Sequence, residues 1–79
     1  MDYEMKMPDL ATTGSPMRVV RWLVSVGQTV ARGDQLVEVE TDKAVMNVES
    51  PADGTLVEIA APVDTVVLLG QRLGTIRPS

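Results

Sequence analysis

Short valine-rich segments separated by glycine and proline restrict the fold of this chain more than any other feature. The 79 residues include 13 valines, 6 glycines and 5 prolines. β-branched residues favour strands, whereas glycine and proline mark turns. No stretch of ten or more residues has the 3.6-residue period of an amphipathic helix. The pattern predicts an all-β sandwich or barrel with no helix longer than one turn.

Seven segments match the strand pattern, and turn signals divide them. The predicted strands are residues 3–8, 18–26, 36–41, 44–49, 55–61, 66–69 and 72–77. A surface loop is predicted at 10–16, and a tight turn at 50–54, where the sequence reads Ser-Pro-Ala-Asp-Gly. A chain of this length has room for one domain, which we expect to span residues 1–79 with a core of about 3–77.

The two central segments predict a hairpin, because side chains of two kinds alternate in each. In the first segment the alternating sets are Val37, Val39 and Thr41 against Glu38, Glu40 and Asp42. In the second they are Ala44, Met46 and Val48 against Val45, Asn47 and Glu49. Such alternation is typical of half-buried strands. The tip of the predicted hairpin is Asp42-Lys43.

A weak internal repeat relates the two halves of the chain. A shift of 37 residues places similar residues together, such as Val20 with Val57, Gly33 with Gly70 and Val39 with Ile76. Chance matches are expected in a chain so rich in valine. A genuine repeat would mean two half-domains that cover each other's apolar faces about a pseudo-twofold axis, with the central hairpin at one end.

Negative charge is concentrated around the predicted hairpin. Residues 34–53 contain six acids and a single base, Lys43, so their net charge is −5. The other residues contain five acids and six bases, a net charge of +1. A charged hairpin can simply protect a sheet from aggregation, and a lysine on a turn can simply add solubility.

The composition excludes several classes of function. Cysteine and histidine are absent, which leaves no thiol nucleophile, no thiolate or imidazole metal ligand and no Ser-His pair. We therefore expect no catalytic residue and no metal site. Two aromatic residues and a net charge of −4 argue against nucleic acid. The longest aliphatic run, residues 66–69, is far shorter than the roughly 20 residues of a membrane helix.

The first residues, Met-Asp-Tyr-Glu, are unlike a signal peptide or a transit peptide. We expect a cytoplasmic bacterial protein, or a mitochondrial matrix protein from which a leader has been removed.

The segment Glu40-Thr41-Asp42-Lys43-Ala44 resembles the lipoylation motif of the lipoyl domains in the dihydrolipoamide acyltransferase (E2) of 2-oxo acid dehydrogenase complexes. The resemblance extends over residues 5–77. It includes the runs Met-Pro-Asp-Leu at 7–10, Trp-Leu at 22–23, Gly-Asp-Gln-Leu at 33–36, Ser-Pro-Ala-Asp-Gly at 50–54 and Val-Leu-Leu-Gly at 67–70.

The resemblance implies a flattened β-barrel of two antiparallel four-stranded sheets related by a pseudo-twofold axis. It implies that a lipoate ligase or transferase joins lipoic acid to Lys43 as an amide, with Asp42, Ala44, Glu40 and Thr41 as recognition residues. The domain would be a carrier without a catalytic site of its own. Its lipoyl arm would visit a thiamine-dependent dehydrogenase (E1), the acyltransferase core with coenzyme A (E2), and dihydrolipoamide dehydrogenase (E3). The loop at 10–16 would help E1 to select the domain.

The chain departs from the family pattern at three positions. Met17 and Asp64 stand where glycine is usual, and Asn47 stands where an acid is common. Aspartate is among the few non-glycine residues that tolerate a left-handed backbone, so we expect little strain at Asp64. None of the three positions is the modified lysine.

Three alternatives remain open at this point. The nearest is a biotinyl domain, since Glu-Met-Lys-Met at residues 4–7 is similar to the biotinylation motif Ala-Met-Lys-Met. Lys6 lies too close to the start of the chain to be the tip of a central hairpin, however, and Lys43 lacks flanking methionines. The others are an unmodified small β-barrel that binds a ligand, and an enzyme that uses Glu40 and Asp42 as a carboxylate pair.

Overall fold

The computed structural model describes residues 2–8, 16–42 and 44–78. These ranges form eight strands and no helix, so none of their segments is a helix that could cross a membrane. The strands are β1 (Tyr3–Lys6), β2 (Met17–Trp22), β3 (Thr29–Val30), β4 (Gln35–Glu40), β5 (Val45–Glu49), β6 (Gly54–Ile59), β7 (Val66–Val67) and β8 (Arg72–Pro78).

The strands form two four-stranded antiparallel sheets. The first sheet has the order β1-β8-β6-β3, and the second has the order β5-β4-β2-β7. Each sheet combines strands from both halves of the chain. This architecture confirms the expected all-β sandwich of two four-stranded sheets.

The 37-residue repeat is genuine and extends to the register of strand pairing. The shift maps β2, β3 and β4 onto β6, β7 and β8, and it maps the pair Val19↔Val39 onto the pair Leu56↔Ile76. The register shifts also correspond, one following Val19 in β2 and the other following Leu56 in β6. β5 and β1 occupy equivalent edges of their sheets.

The core lies between the two sheets and consists of aliphatic side chains. The largest fully buried ones are Met7, Val19, Leu36, Val37, Val39, Leu56, Val67, Leu73 and Ile76. Leu36 and Val37 are both buried although they are neighbours, because the pairing of β4 with β5 shifts register between Gln35 and Val37. The bulge lies at the start of β4, before the residues whose alternation the sequence predicts.

Trp22 connects the two sheets. Its side chain is half-buried rather than fully enclosed, and its Nε1–H donates a 2.8 Å hydrogen bond to the backbone oxygen of Ala61. Its ring also covers Gly74, where a Cβ would lie 3.3 Å from the ring atom Cη2. Gly74 belongs to the opposite sheet, so the absence of a side chain there makes room for the indole.

Several predicted strands are shorter in the structure. The segment 18–26 leaves the sheet after Trp22, because Gly27 has φ 95° and Gln28 N–H bonds to the Ser25 oxygen at 3.0 Å in a turn. The predicted strands at 55–61 and 66–69 end at 59 and 67. The two-residue strand β3 was not predicted, since it is too short to show a period. The predicted loop at 10–16 lies almost wholly outside the described residues.

Candidate functional site

The antiparallel pair β4–β5 forms the central hairpin that the sequence predicts. Beyond the last strand pair, Glu40↔Val45, the backbone N–H of Thr41 donates to the oxygen of Ala44 at 2.8 Å. The Thr41 hydroxyl donates to the same oxygen at 3.0 Å and accepts the N–H of Ala44 at 3.1 Å. These three bonds close the hairpin around positions 42 and 43.

The residues beside the predicted attachment point are accessible. Lys43 itself lies outside the described residues. Asp42 and Ala44, which flank it in the chain, are both exposed, and Val45 is 53% exposed. A modifying enzyme can therefore reach the chain on either side of position 43.

The base of the hairpin is anchored in the core. Val37, Val39 and Val48 are buried, and Asn47 Nδ2 donates a 2.8 Å hydrogen bond to Gln35 Oε1 across the strands. Below them, Ser50 N–H bonds to the Asp34 oxygen at 2.8 Å. Since one end of the hairpin is packed and the other is exposed, it holds its tip away from the core.

The second strand of the hairpin does not alternate as the sequence predicts. Ala44 and Met46 were expected on the buried side with Val48, but both are exposed, Met46 to 37%. Among the described residues β5 has one strand neighbour, β4, and its only buried side chain is that of Val48 near the base of the hairpin. The alternation in β4 is confirmed, because β4 has neighbours on both sides.

Arg18 links the hairpin to the turn before β7. Its Nη2 donates to Glu40 Oε1 at 3.1 Å, and its Nη1 donates to Asp64 Oδ1 at 2.7 Å. The hydrogen bond to Glu40, reinforced by the carboxylate charges, raises the pKa of the Arg18 guanidinium. Glu40 was predicted as a recognition residue, and the structure shows its carboxylate engaged with Arg18. The sequence analysis did not anticipate this contact, which joins residues far apart in the chain.

The two candidate lysines differ in context. Lys6 is the last residue of β1, and its Nζ lies 3.9 Å from Glu4 Oε2. Lys6 therefore belongs to the body of a sheet, as the sequence analysis expected, and not to a hairpin tip. Among the described residues no group of three or more acidic side chains is arranged to hold a metal ion.

Comparison with known proteins assigns the chain to a family. The model of the biotin/lipoyl family, described as "Biotin-requiring enzyme", matches residues 3–76. The solution structure of the lipoyl domain of the 2-oxoglutarate dehydrogenase complex from Azotobacter vinelandii superimposes with a TM-score of 0.77, 33% identity and 96% coverage of both chains. The chain belongs to the biotin/lipoyl domain family.

Curated relatives of this lipoyl-type domain are acyltransferase components. It is 41% identical over 73 residues to the dihydrolipoyllysine-residue succinyltransferase of the 2-oxoglutarate dehydrogenase complex from Buchnera aphidicola. It is 34% identical over 70 residues to the dihydrolipoyllysine-residue acetyltransferase of the pyruvate dehydrogenase complex from Staphylococcus aureus. The alignments cover 92% and 89% of this chain but only 17% and 16% of those relatives.

The same fold also occurs within a much larger enzyme. A single-chain, multi-domain long-chain acyl-CoA carboxylase superimposes with a TM-score of 0.79 over 99% of this chain, at 19% identity and 7% of its own length. At that identity the likeness concerns the fold alone. The lipoyl branch is favoured over the biotinyl branch by the higher identities to E2 components and to a lipoyl domain.

Proposed function

We propose that this domain carries a lipoyl group on Lys43 for a 2-oxo acid dehydrogenase complex. The observation that carries the proposal is the closed hairpin between Thr41 and Ala44, which brackets position 43 with exposed residues in a domain of lipoyl type. The attachment is an amide between the carboxyl group of lipoic acid and the lysine Nζ. It removes one positive charge and changes the formal net charge from −4 to −5.

The proposed group fits the residues that are present. The chain has no cysteine, so it has no thiol of its own for disulfide exchange. Bound lipoic acid supplies a dithiolane, which can be reduced, acylated and reoxidised. The protein's contribution is positional: the buried base of the hairpin fixes one end, and the exposed residues Asp42 and Ala44 leave the chain accessible on both sides of position 43. Tethering of this kind raises the effective concentration of a carried group at successive active sites.

The relatives, which are acyltransferase components of 2-oxo acid dehydrogenase complexes, support a proposal for the partners. We propose a lipoate ligase or transferase for attachment, and then E1, the E2 core with coenzyme A, and E3. Relatives from 2-oxoglutarate and pyruvate complexes both align with this chain, so the proposal specifies the class of substrate, a 2-oxo acid. We place this domain outside catalysis itself, as a carrier of intermediates between those active sites.

Recognition by the attaching enzyme is assigned to residues at the tip. Asp42 and Ala44 are exposed and adjacent in sequence to Lys43, so an enzyme that binds the lysine must contact them. Thr41 acts indirectly, through its bonds to Ala44 that close the hairpin. Glu40 is held by Arg18, so we assign it to the support of the tip.

Reductive acylation tests the carrier function. The lipoylated domain is offered to purified E1 enzymes with pyruvate, 2-oxoglutarate or a branched-chain 2-oxo acid, and acyl transfer to the domain is followed by intact mass. One of these substrates should acylate the domain at a rate well above the other two. Failure of all three, with a known lipoyl domain acylated in parallel, would contradict the proposal.

A further inference from the structure

The exposed edge of the hairpin differs from its symmetry-related edge in a way that indicates a binding surface. Among the described residues, β5 and β1 are the outer strands of their sheets, and each has a strand neighbour on one side only. Open edges can pair with an added strand, and proteins usually block them with charged side chains. The two edges of this domain are related by pseudo-symmetry, so each serves as a reference for the other.

The register shows which backbone groups face outward on β5. Thr41 N–H bonds to the Ala44 oxygen, and Ser50 N–H bonds to the Asp34 oxygen, so residues 44 and 50 face β4. In an antiparallel pair, every second residue of a strand directs its N–H and C=O groups toward the neighbouring strand. The residues that direct these groups toward β4 are therefore 44, 46, 48 and 50. The N–H and C=O groups of Val45, Asn47 and Glu49 face the open side.

On β1 the equivalent outward residues are all charged and paired. Met7 bonds to β8 through Gln71 and Gly70, so the outward residues are Asp2, Glu4 and Lys6. Asp2 pairs with Arg77 at 3.3 Å, Glu4 with Arg72 at 3.9 Å, and Lys6 with Glu4 at 3.9 Å. This edge has the charged protection that sheet edges commonly show.

On β5 that protection is absent. The outward residues are apolar Val45, neutral Asn47 and a single acid, Glu49. Val45 is 53% exposed. A groove of about 400 Å³ runs beside the strand, between β5 and β1; its lining includes apolar Met5, Val48 and Pro51 and charged Glu4, Lys6 and Glu49. It can receive side chains from a strand added to β5.

The negative charge around β5 determines which kind of added strand the edge would bind. Glu49 is the last residue of β5, and Asp42 lies at the hairpin tip before the strand begins; neither forms an ion pair with another described residue. Among the described residues outside 34–53, by contrast, every acid is in an ion pair: Asp2, Glu4, Glu58 and Asp64. A second copy of the chain would bring acids against acids, since each copy has a net charge of −4. A basic strand would instead pair with them.

We propose that the outer edge of β5 binds an extended, lysine- or arginine-containing segment of a partner protein by β-strand addition. Backbone hydrogen bonds to Val45, Asn47 and Glu49 supply the affinity, and the acids at the ends of the strand supply the preference for positive charge. The surface lies on the hairpin that contains Lys43, so a partner bound there has the hairpin tip within its reach.

A titration of the ¹⁵N-labelled full chain, without lipoylation, tests the proposal. The probe is a seven-residue peptide of alternating lysine and valine, acetylated and amidated at its ends. Chemical shifts should move at Val45, Asn47 and Glu49, and hydrogen exchange of their amides should slow. An alternating glutamate–valine peptide should produce no shifts, and an N-methylated lysine–valine peptide should bind about tenfold more weakly.

Two variants and a matched control sharpen the test. Asn47→Pro removes an outward N–H without removing a backbone bond to β4, although it also removes the side-chain bond from Asn47 to Gln35. Glu49→Lys reverses the charge and leaves that bond in place. Each should weaken binding about five- to tenfold. Asp2→Lys reverses a charge at the β1 edge, at a residue that does not line the groove, and should leave binding unchanged. A urea midpoint for each variant shows that it is folded, and Glu49→Lys alone suffices if Asn47→Pro unfolds.

Several results would each overturn the proposal. They are shifts centred on β1, equal binding of the acidic peptide, and β5 shifts that depend on the concentration of the domain alone, which would mean that a second copy occupies the edge. An absence of any peptide-induced shift would overturn it as well. Because the titration uses the unmodified domain, these results leave the proposed attachment of lipoic acid to Lys43 unaffected.

Discussion

Asp64 and Gly27 occupy equivalent positions in the two halves of the domain, and both have a left-handed backbone. Their φ angles are 73° and 95°, and their N–H groups make equivalent bonds, Asp64 to the Val19 oxygen at 2.8 Å and Gly27 to the Leu56 oxygen at 2.7 Å. The departure from glycine at Asp64 is thus structurally mild, as its residue type predicts. The carboxylate also gains a hydrogen bond from Arg18.

Substitutions at Asp64 should separate backbone strain from the side-chain contact. Asp64→Gly removes the strain but also the bond to Arg18, so we expect the free energy of unfolding to change by less than about 1 kcal/mol. Asp64→Val places a β-branched residue at positive φ and should destabilise by about 1–3 kcal/mol. Urea denaturation measures both. Equal stability of the glycine and valine variants would show that this turn relaxes out of the left-handed conformation.

The contact between Trp22 and Gly74 should be visible as an energetic coupling. Gly74→Ala introduces a Cβ 2.7 Å from the Glu58 oxygen and 3.3 Å from the indole, which should cost about 1–3 kcal/mol. Trp22→Phe removes the hydrogen bond to Ala61 and the ring atom nearest Gly74, at a cost of about 1–3 kcal/mol.

The double variant should lose about 0.5–1 kcal/mol less free energy of unfolding than the two single variants lose together, because phenylalanine no longer crowds the new methyl group. A double-mutant cycle from urea midpoints measures this coupling. Strict additivity would mean that Trp22 and Gly74 do not act as packing partners across the sheets.

Buried residues at the base of the hairpin should contribute more to its stability than exposed residues near the tip. Val48→Ala creates a small cavity beside Val37 and should cost about 1–2 kcal/mol. Val45→Ala is the matched control, because the same methyl groups are removed from the same strand at an exposed position, and its effect should stay within about 0.5 kcal/mol. Equal losses in the two variants would indicate that the exposed part of β5 is as well packed as its base.

The sequence analysis predicted most of the fold, because two signals were strong. Alternation in 36–41 located β4 to within a residue, and the 37-residue repeat anticipated the relation between the sheets. The repeat also contained β3, since Val30 matches Val67 in β7, but two residues have no period of their own. Applying the 37-residue shift to the predicted strand at 66–69 would have predicted a strand at the equivalent residues 29–32.

The errors have physical causes in tertiary structure. Met46 was assigned to the buried side because alternation identifies the two faces of a strand, but not whether anything covers them. The indole of Trp22 spans the gap between the sheets and stays half-buried, a position that the strand pattern at 18–26 does not reveal. The contact of Arg18 with Glu40 and Asp64 depends on the folding of three distant segments, and local sequence patterns contain no signal for it.

The most direct test of the central claim is the site of modification. The chain is co-expressed with a lipoate ligase and supplied with lipoic acid, and intact mass with peptide mapping identifies the product. Lys43→Arg and Lys6→Arg variants are treated in parallel, and urea midpoints show that both are folded. We expect one lipoyl group on Lys43, lost in Lys43→Arg and retained in Lys6→Arg. Lipoylation of Lys6, modification that persists in Lys43→Arg, or transfer of biotin to Lys43 by a biotin ligase would contradict the account.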